Sequence, residues 1–425
     1  MLLGLYRGFT TVFGPMAPLF LDRRAARGKE DPARRPERLG QASRPRPTGK
    51  LVWIHGASVG EAMSAQILID RLLALDDTLH VLLTTGTVTS ARLFEERLPP
   101  SAIHQFVPID RPDCVTRFLD HWRPDLAIWL ESELWPNLLD GVARRSIPAV
   151  LANARLSQRS FSRWSLLPGL ARRLIGTFDL VLPGDAKSAE RYQTLGARAL
   201  GPTGNLKYSA PVLPADPASV EALRGAIGDR PVWLAASTHP GEDQQVIDAH
   251  TALAGRFPGL LTIIAPRHVE RRPEIAGLIA EAGLDHAVRS AVQLPDEATD
   301  IYLADTLGEL GTLFRAVPIV FVGGSLVPIG GHNPLEPARL GCAILTGPKT
   351  ENFADVFAAM EAEDAVQLVQ DGPSLTEAVG ELLSDPNRCA ALAKRADQSA
   401  TARAAVIDAA MQALQPLLSR AGLTP

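Results

Sequence analysis

The chain has 425 residues, of which 46% are hydrophobic and 21% charged, so it is long enough for two hydrophobic cores. Its three cysteines, Cys114, Cys342 and Cys389, are too few and too scattered for a disulfide framework or a zinc cluster, which favours a reducing, cytoplasmic setting. The net charge of −4 divides unevenly, because nine Lys/Arg against three acids give residues 23–46 a charge of +6 and leave −10 for the remainder.

The first 21 residues form an apolar stretch in which Arg7 is the one charge. Its length borders on that of a membrane span, but Pro15 and Pro18 weaken that interpretation, so a shallow anchor is an equal alternative. A helix packed on the protein core is a third alternative. The basic run that follows would face anionic lipid or a phosphorylated substrate on the cytoplasmic side. We therefore predict a membrane-associating segment over residues 1–46.

Strand-like runs alternate with helical patterns after the Pro-rich connector at residues 44–49. The runs are LVWIHG, HVLLTTG, IHQFVPI, LAIWLE, PAVLANA and DLVLPG, with a short one near Ala199. This alternation predicts a parallel sheet with crossover helices, hence a Rossmann-like domain over residues 47–204. A Gly/Pro-rich stretch then indicates an interdomain linker over residues 205–217.

A second alternation predicts another Rossmann-like domain over residues 218–400. Its strands are PVWLAAS, LLTIIAP, IYLAD, PIVFVGG, AILTG and AVQLV, and its clearest helices are expected at residues 243–256, 273–282 and 352–362. The end of the chain, residues 401–425, is expected to be a helix that could pack across both domains. In such sheets ligands bind outside the carboxyl ends of the strands, so chemistry is sought there.

The segment WIHGASVGE is a buried strand that turns into a helix. Its last residue, Glu61, falls in the first helical turn, where the helix dipole and free amides favour an ionised carboxylate. Gly56 and Gly60 allow a ligand to come close. The spacing Ser58-x-x-Glu61 is also that of a capping box, which is the more common reason for such a pair. The residues alone leave both interpretations open.

Dinucleotide binding is disfavoured by the same region. It has GASVG where GxGxxG is required, and HVLLTTGT ends in threonines instead of a ribose-binding acid. No pair of His or Asp residues has metal-ligand spacing, so neither a metal nor a cofactor is predicted.

The segment FVGGSLVPIGGHNPLEP combines a strand, a Gly-rich loop and the start of a helix. Asn333 is predicted as the N-cap of this helix, with Pro334 and Glu336 at its first and third positions. Glycines beside a helix N-terminus can bind an anion, and a carboxylate there suits a ribose diol. The alternative is a helix that is simply well capped.

Three shorter elements, AASTHPGED, IIAPRHVERR and GNLKYS, place polar residues at strand ends or at the domain joint. Arg267 and Lys207 could neutralise a phosphate, although such residues are more often solvated or paired. His239 and His268 are likewise more often hydrogen-bonding loop residues than catalysts.

In the first domain, IWLESELWPNLL ends a strand with two carboxylates, Glu131 and Glu133, beside Trp135. Two acids at one strand end are less ordinary than one. The next strand ends in NARLSQRS, which adds Arg155 and Ser157.

In this order, the motifs resemble those of the 3-deoxy-D-manno-octulosonic acid (Kdo) transferases of lipopolysaccharide assembly. The matching segments are GKE, ERLG, HGASVGE, TTGT, ESELWPN, NARLS, GNLK, PRH, FVGGS and GGHNPLEP, which span nearly the whole chain. The resemblance implies a GT-B fold with two domains facing a cleft. It also implies inverting, metal-independent transfer of Kdo from CMP-Kdo to the lipid A disaccharide precursor at the cytoplasmic face of the inner membrane, without nucleic acid.

The resemblance assigns roles residue by residue. Glu61 matches the general base that takes the proton of the acceptor hydroxyl. We assign the acceptor side to Ser58, Glu131, Glu133 and Arg155, and the CMP-sugar side to Lys207, Ser237, Thr238, Arg267, His268, Gly323, Gly324, Ser325, Asn333 and Glu336. One departure is Pro240, which stands where the family usually has an acidic residue.

Two other classes of protein remain as alternatives. A sugar-nucleotide epimerase of the same fold would act on a soluble substrate and would need no apolar N-terminus. A nonenzymatic nucleotide-sugar binder would retain its function in the Glu61→Gln variant.

Overall fold

The structure is a computed structural model that describes residues 2–56 and 59–423, and the side chains of residues 59–63 and 96 also lie outside this description. The chain divides into two compact units, Met1–Ala210 with Arg403–Pro425, and Pro211–Ala402. The division falls within the stretch from which the sequence predicts a linker.

The first unit is built on a six-stranded sheet in the order β3-β2-β1-β4-β5-β6, with every pairing parallel. Its strands are β1 (Leu51–His55), β2 (His80–Thr85), β3 (Ala102–Phe106), β4 (Leu126–Leu130), β5 (Ala149–Ala154) and β6 (Leu180–Pro183). Its first ten helices are α1 (Leu2–Val12), α2 (Ala17–Ala25), α3 (Arg35–Arg38), α4 (Val59–Leu73), α5 (Val88–Arg97), α6 (Pro112–Trp122), α7 (Pro136–Arg144), α8 (Gln158–Ser165), α9 (Pro168–Ile175) and α10 (Ala186–Leu195).

Alternate residues of β1 enter different cores. Val52 and Ile54 join the cluster that includes α4 and the last helix, whereas Leu51 and Trp53 join the cluster that includes α6 and α7. β1 is therefore buried on both faces, which explains why its sequence is an almost continuous apolar run.

The second unit has a seven-stranded parallel sheet in the order β13-β12-β11-β7-β8-β10-β9. Its strands are β7 (Val232–Thr238), β8 (Leu261–Pro266), β9 (His286–Val288), β10 (Ile301–Leu303), β11 (Ile319–Val322), β12 (Ala343–Thr346) and β13 (Gln367–Leu368). The remaining helices of the chain are α11 (Pro217–Ile227), α12 (Glu242–Ala254), α13 (Arg272–Glu281), α14 (Leu310–Ala316), α15 (Leu335–Ala338), α16 (Ala354–Ala362), α17 (Gly372–Ser384), α18 (Pro386–Ala404) and α19 (Val406–Arg420).

Two parallel-sheet α/β domains were expected, and the structure confirms them. The short run near Ala199 forms only an isolated bridge from Leu200 to Val181, and the three-residue strand β9 was not predicted. The C-terminal helices contribute to different cores: Leu392 of α18 lies in the core of the second unit, and Leu414 of α19 lies in a core of the first.

The apolar N-terminal segment forms two short helices, α1 and α2, separated by a 3-10 turn at Gly14–Met16. Within residues 2–56 and 59–423, no helix has the length and apolar character needed to cross a bilayer. One side of α1 is fastened to the first unit, because Tyr6 donates to Asp110 at 3.0 Å and Arg7 pairs with Asp140 at 2.9 Å.

The other side of the segment is apolar and exposed. Eight of its large hydrophobic side chains are at least 43% exposed: Leu2, Leu5, Phe9, Val12, Phe13, Met16, Leu19 and Phe20. We call these eight residues the apolar N-terminal surface.

Candidate active site

In the second unit, the predicted nucleotide-binding residues surround the point where the strand order reverses. Strand β7 lies between β8 and β11. The strands that follow β7 in the chain, β8 to β10, lie on one side of it, and β11 to β13 lie on the other side, so the strand order reverses at β7. Ser237 and Thr238 end β7, Arg267 follows β8, and Gly323 follows β11. A crevice at such a reversal is where open α/β sheets bind ligands.

The glycines after β11 are required by close approach of the backbone. A Cβ on Gly323 would lie 2.7 Å from the Ser237 oxygen and 2.9 Å from the Ala236 oxygen, which are backbone atoms. Gly324 has φ +69°, a conformation that favours glycine, and a Cβ there would meet the His332 ring at 3.1 Å. The loop after β11 can therefore pack against the end of β7 only without side chains.

A buried carboxylate that the sequence did not single out organises this loop. Glu242, at the start of α12, is 0% exposed and accepts four backbone N–H groups. The donors are His239 at 2.9 Å, Gly324 at 2.7 Å, Ser325 at 3.0 Å and Leu326 at 3.0 Å. Burial raises the pKa of this carboxyl, and the amide hydrogen bonds oppose that shift by stabilising the ionised form.

Glu242 changes how the predicted anion site is built. The amides of the Gly-rich loop, which the sequence offers to a phosphate, already bind a carboxylate of the chain itself. Two acids in a helical first turn were visible in the motif STHPGED, but such acids are common at helix starts, so the sequence carried no signal of burial. Pro240, the departure from the family pattern, is exposed on the turn before α12.

Two of the predicted hydroxyls are also used internally. Ser325 is 0% exposed, donates to the Val322 oxygen at 2.5 Å and accepts the Gly347 amide at 2.8 Å. Thr238 is 0% exposed and donates to Asp243 at 2.6 Å. Both hydroxyls are therefore bonded within the protein and stabilise the strand ends on which the site is built. Ser237 differs, because it is partly exposed and has φ +58°, the kind of strained backbone that concentrates at functional sites.

Arg267, which directly follows β8, has an exposed side chain. Its guanidinium makes no hydrogen bond or ion pair with the part of the chain that the structure describes. It acts electrostatically on Glu336, whose pKa is raised by burial and lowered by the Asn333 amide and by Arg267. A free cation and a half-buried carboxylate therefore face the same region, as recognition of a phosphate and a ribose requires.

The helix after the Gly-rich loop begins later than predicted. α15 starts at Leu335 with Pro334 as its N-cap, so Asn333 is not the N-cap residue. Its side-chain oxygen instead accepts the Leu335 amide at 3.1 Å, and its amide donates to Glu336 at 3.1 Å. The short side chain forms a local turn two residues on, which a spacing argument does not distinguish from a cap.

Three histidines gather at the same strand ends. The Nε2 atoms of His239 and His332 are 2.8 Å apart, with ring planes 8° from parallel, and His268 lies edge-on to His239 at 5.7 Å between centroids. His332 was not singled out from the sequence, and no spacing along the chain links it to a residue 93 positions earlier.

In the first unit, Glu131 and Lys207 form an ion pair of 2.9 Å between Nζ and Oε1. Glu131 directly follows β4 and has φ +58°, while Lys207 lies in the turn Leu206–Ser209. The sequence grouped Lys207 with the CMP-sugar residues, but the structure places it in the first unit beside an acceptor-side residue.

Glu133, the second predicted acid, lies on the loop after β4. It accepts the Trp135 indole N–H at 2.7 Å, and its pKa is raised by burial and by the neighbouring charge of Glu131. The two acids therefore differ in environment: one is paired with a cation, and the other is partly desolvated beside an exposed tryptophan.

The end of β5 supplies polar atoms without partners. Asn153 is 0% exposed with φ +50°, and its oxygen accepts the Leu206 amide at 3.2 Å. Its Nδ2 atom and the Nε atom of Arg155 are buried and have no hydrogen-bond partner among the described residues. Donors left in this state at a strand end suit an oxygen-rich ligand.

Glu61 and Ser58 cannot be placed in this geometry. The side chain of Glu61 and all of Ser58 lie outside the described residues, although α4, which contains Glu61, begins at Val59, shortly after β1 ends at His55. β1 is paired with β4, so Glu61 and Glu131 follow neighbouring strands. Among the described residues, no group of three His, Cys, Asp or Glu is arranged to hold a metal ion.

Comparison with known proteins identifies the family. Residues 33–210 match the family model of 3-deoxy-D-manno-octulosonic-acid transferase. A 3-deoxy-D-manno-octulosonic acid transferase of Haemophilus influenzae is 38% identical over 81% of this chain and 81% of that protein. The transferase of Bordetella pertussis is 33% identical over 98% of this chain and 99% of that protein. The chain belongs to the Kdo transferase family.

As a Kdo transferase, the protein is a glycosyltransferase. A crystal structure of UDP-GlcNAc 2-epimerase from Neisseria meningitidis covers 86% of this chain and 100% of its own at a TM-score of 0.50, but with 16% identity. That likeness shows a shared fold alone. The epimerase alternative left open by the sequence is therefore not favoured, because the extended sequence identity is to Kdo transferases.

Proposed function

We propose that this Kdo transferase moves Kdo from CMP-Kdo to the disaccharide precursor of lipid A, with inversion at the anomeric carbon and without a metal ion. The observation that carries the donor half is the free guanidinium of Arg267 beside Glu336, at the strand reversal of the second unit. A cation and a carboxylate there match the phosphate and the ribose of a nucleotide. The tightly packed glycines hold the loop that borders them.

The acceptor half is proposed for the first unit. Glu61 would take the proton from the acceptor hydroxyl as that hydroxyl attacks, while the cation of Lys207 and the unpartnered donors of Asn153 and Arg155 would bind acceptor oxygens. Leaving-group charge would be stabilised by Arg267, so the proposed step is routed through no metal.

Removal of the base tests the catalytic proposal. Glu61→Gln and Glu61→Ala should each lower the turnover number by about 10²- to 10⁴-fold, the usual contribution of general base catalysis, with CMP affinity retained. Glu190→Gln, an exposed glutamate of α10 in the same unit, is the matched control and should turn over normally. Normal turnover in the Glu61 variants would refute the assignment, and mass spectrometry of the lipid product would also count the Kdo residues added.

Removal of the cation tests the donor site. Arg267→Ala should weaken CMP binding by about 10- to 100-fold, since a charge-assisted hydrogen bond contributes about 1.5–3 kcal/mol. Arg272→Ala removes a charge five residues further on, where the guanidinium is half exposed and 3.8 Å from Asp305, and should leave the affinity within about twofold. Equal CMP affinities for the wild type and Arg267→Ala would remove Arg267 from the phosphate site.

We also propose that the apolar N-terminal surface lies in the cytoplasmic face of the inner membrane, parallel to its plane. Its eight exposed apolar side chains precede the basic residues 23–46, and its polar side is fastened to the first unit through Tyr6 and Arg7. This division into an apolar and a fastened side is typical of an interfacial helix.

Vesicle binding tests the membrane proposal. Leu5→Gln with Phe9→Gln should weaken binding to anionic vesicles at least tenfold, because burying each side chain contributes about 1.5–3 kcal/mol. Leu166→Gln with Leu307→Gln removes two apolar residues elsewhere that are at least as exposed as Leu5 and Phe9, and serves as the control. If both double variants floated with vesicles to the same extent as the wild type, the apolar N-terminal surface would not be the membrane anchor.

A further inference from the structure

The bridge between His239 and His332 permits only one arrangement of protons. Two Nε2 atoms 2.8 Å apart must share a single proton, because two lone pairs or two N–H groups would repel each other at that distance. In the neutral pair, one ring therefore carries its proton on Nε2 and the other on Nδ1. One Nδ1 is then a donor and the other an acceptor.

A second consequence concerns the next proton. The acceptor Nδ1 can take up one proton without disturbing the bridge, and the pair then presents two N–H donors and one positive charge. A further proton would have to enter the bridge itself and would break it. The pair is thus a group that changes charge by one at fixed geometry.

The surroundings keep this proton off when the site is empty. His239 is 8% exposed, and its pKa is lowered by burial and by the charges of His268, Arg271 and Arg267, with Asp243 opposing them. The pKa of His332 is lowered to about 4 by burial and by His239, Arg267 and His268. Glu242 is committed to backbone amides, and Glu336 faces Arg267. The pair is therefore neutral near pH 7.

The packing holds both rings at the place where a phosphate is proposed to bind. His239 follows β7, and its amide is fixed by Glu242, while the His332 ring packs on Gly324, whose loop closes through a 2.8 Å bond from the Gly331 amide to the Gly324 oxygen. Neither Nδ1 atom has a hydrogen bond to a described residue. Because the rings are bridged through Nε2, their Nδ1 atoms lie at opposite ends of the pair, so one of them can face a ligand bound beside Arg267.

We propose that the His239–His332 pair takes up one proton from solvent when a nucleotide phosphate binds beside Arg267, and then donates from Nδ1 to the phosphate oxygens. This inference rests on the proposed donor site and adds a function for two histidines that the site had left unexplained. The phosphate supplies the negative charge that offsets the neighbouring cations, so the proton gained and the anion bound stabilise each other. During transfer the same charge would stabilise the departing CMP.

The test is the number of protons taken up on binding. Cytidine 5′-methyl phosphate is the probe, because a phosphodiester, unlike the monoester with its second pKa near 6, does not titrate near neutral pH. Calorimetric titration of the full-length protein at pH 6.5, in two buffers of different ionisation enthalpy, gives the count directly. We expect an uptake of about 0.5–1 proton for the wild type and a diester affinity that weakens as the pH rises from 6 to 8.

Two variants assign the proton. His332→Gln should reduce the count to near zero, whereas His286→Gln removes an exposed imidazole of β9 in the same unit, outside the proposed site, and should keep the count. A wild-type count near zero would overturn the inference whether or not the variants bind, and so would loss of the proton in His286→Gln. Failure of the wild type to bind the diester would overturn the proposed donor site together with this inference, whereas binding without proton uptake would overturn the inference alone.

Discussion

Replacement of Glu242 by glutamine should be the most destabilising conservative change in the second unit. One carboxylate oxygen accepts the amides of His239 and Gly324, and the other accepts those of Ser325 and Leu326, all at 2.7–3.0 Å. In Glu242→Gln, one oxygen becomes an NH₂ group, so two buried N–H donors face another donor.

The magnitude follows from the number of bonds lost. A buried donor left without a partner costs about 1–3 kcal/mol, and two of them cost about 2–6 kcal/mol, before the weaker bonds to the remaining neutral oxygen are counted. This is comparable with the whole free energy of unfolding of many domains, about 5–15 kcal/mol. We expect a variant whose second unit is largely unfolded or unfolds at much lower denaturant concentration.

Urea unfolding followed by circular dichroism measures the loss. Glu274→Gln is the matched control, because this glutamate is about half exposed and its replacement leaves Arg271 bonded to Asp243, so the loss should be about 0–1 kcal/mol. A midpoint for Glu242→Gln within experimental error of the Glu274→Gln midpoint would refute the role of the four amides.

Two further predictions concern stability. Burial lowers the pKa of His55 to about 4, and burial with the nearby Arg34 lowers the pKa of His104 to about 3. Between these values and about 6.5, the usual pKa of histidine, the unfolded chain therefore binds more protons than the folded protein. The free energy of unfolding must fall as the pH falls through that range. Each histidine should lower the free energy of unfolding, measured in urea, by about 2 kcal/mol between pH 7 and pH 5. If the wild type and a His104→Gln variant lost the same free energy over this range, the prediction for His104 would be wrong. Gly323→Ala should destabilise the second unit by about 1–3 kcal/mol, because its Cβ would meet backbone oxygens at 2.7 and 2.9 Å, whereas Gly277→Ala, in open space within α13, should stabilise it by about 0.5–1 kcal/mol. Thermal midpoints of the two glycine variants that shift in the same direction would refute this explanation.

The sequence predicted the strands well where local composition carries the information. β1, β4 and β8 are continuous apolar runs ending in Gly, Glu or Pro, and a strand buried on both faces needs no more than that. β9 was missed because three residues, of which His286 is exposed, form no apolar run. It is a strand only because β10 pairs with it.

The candidate site was predicted less completely. Arg267 and the glycines after β11 were singled out because their motifs lie at strand ends, where α/β sheets bind ligands, and the structure places them at the ends of β8 and β11. Helix starts were less reliable: Asn333 has the residue type of an N-cap, yet forms a turn before Pro334. The preference of asparagine for helix N-termini indicates that its side chain bonds to a nearby backbone amide, but it does not say at which residue the helix begins.

By itself, the sequence determined the two α/β domains, the order of the motifs and the family to which they belong, because these depend on hydrophobic periodicity and on residues close together along the chain. Only the tertiary structure decided which polar groups are hydrogen-bonded or paired within the protein and which remain available to a ligand. The bond of Glu242 to Leu326, the pair of Glu131 with Lys207 and the bridge of His239 to His332 join residues 76–93 positions apart. Such contacts depend on strand order and on burial, neither of which has a local pattern.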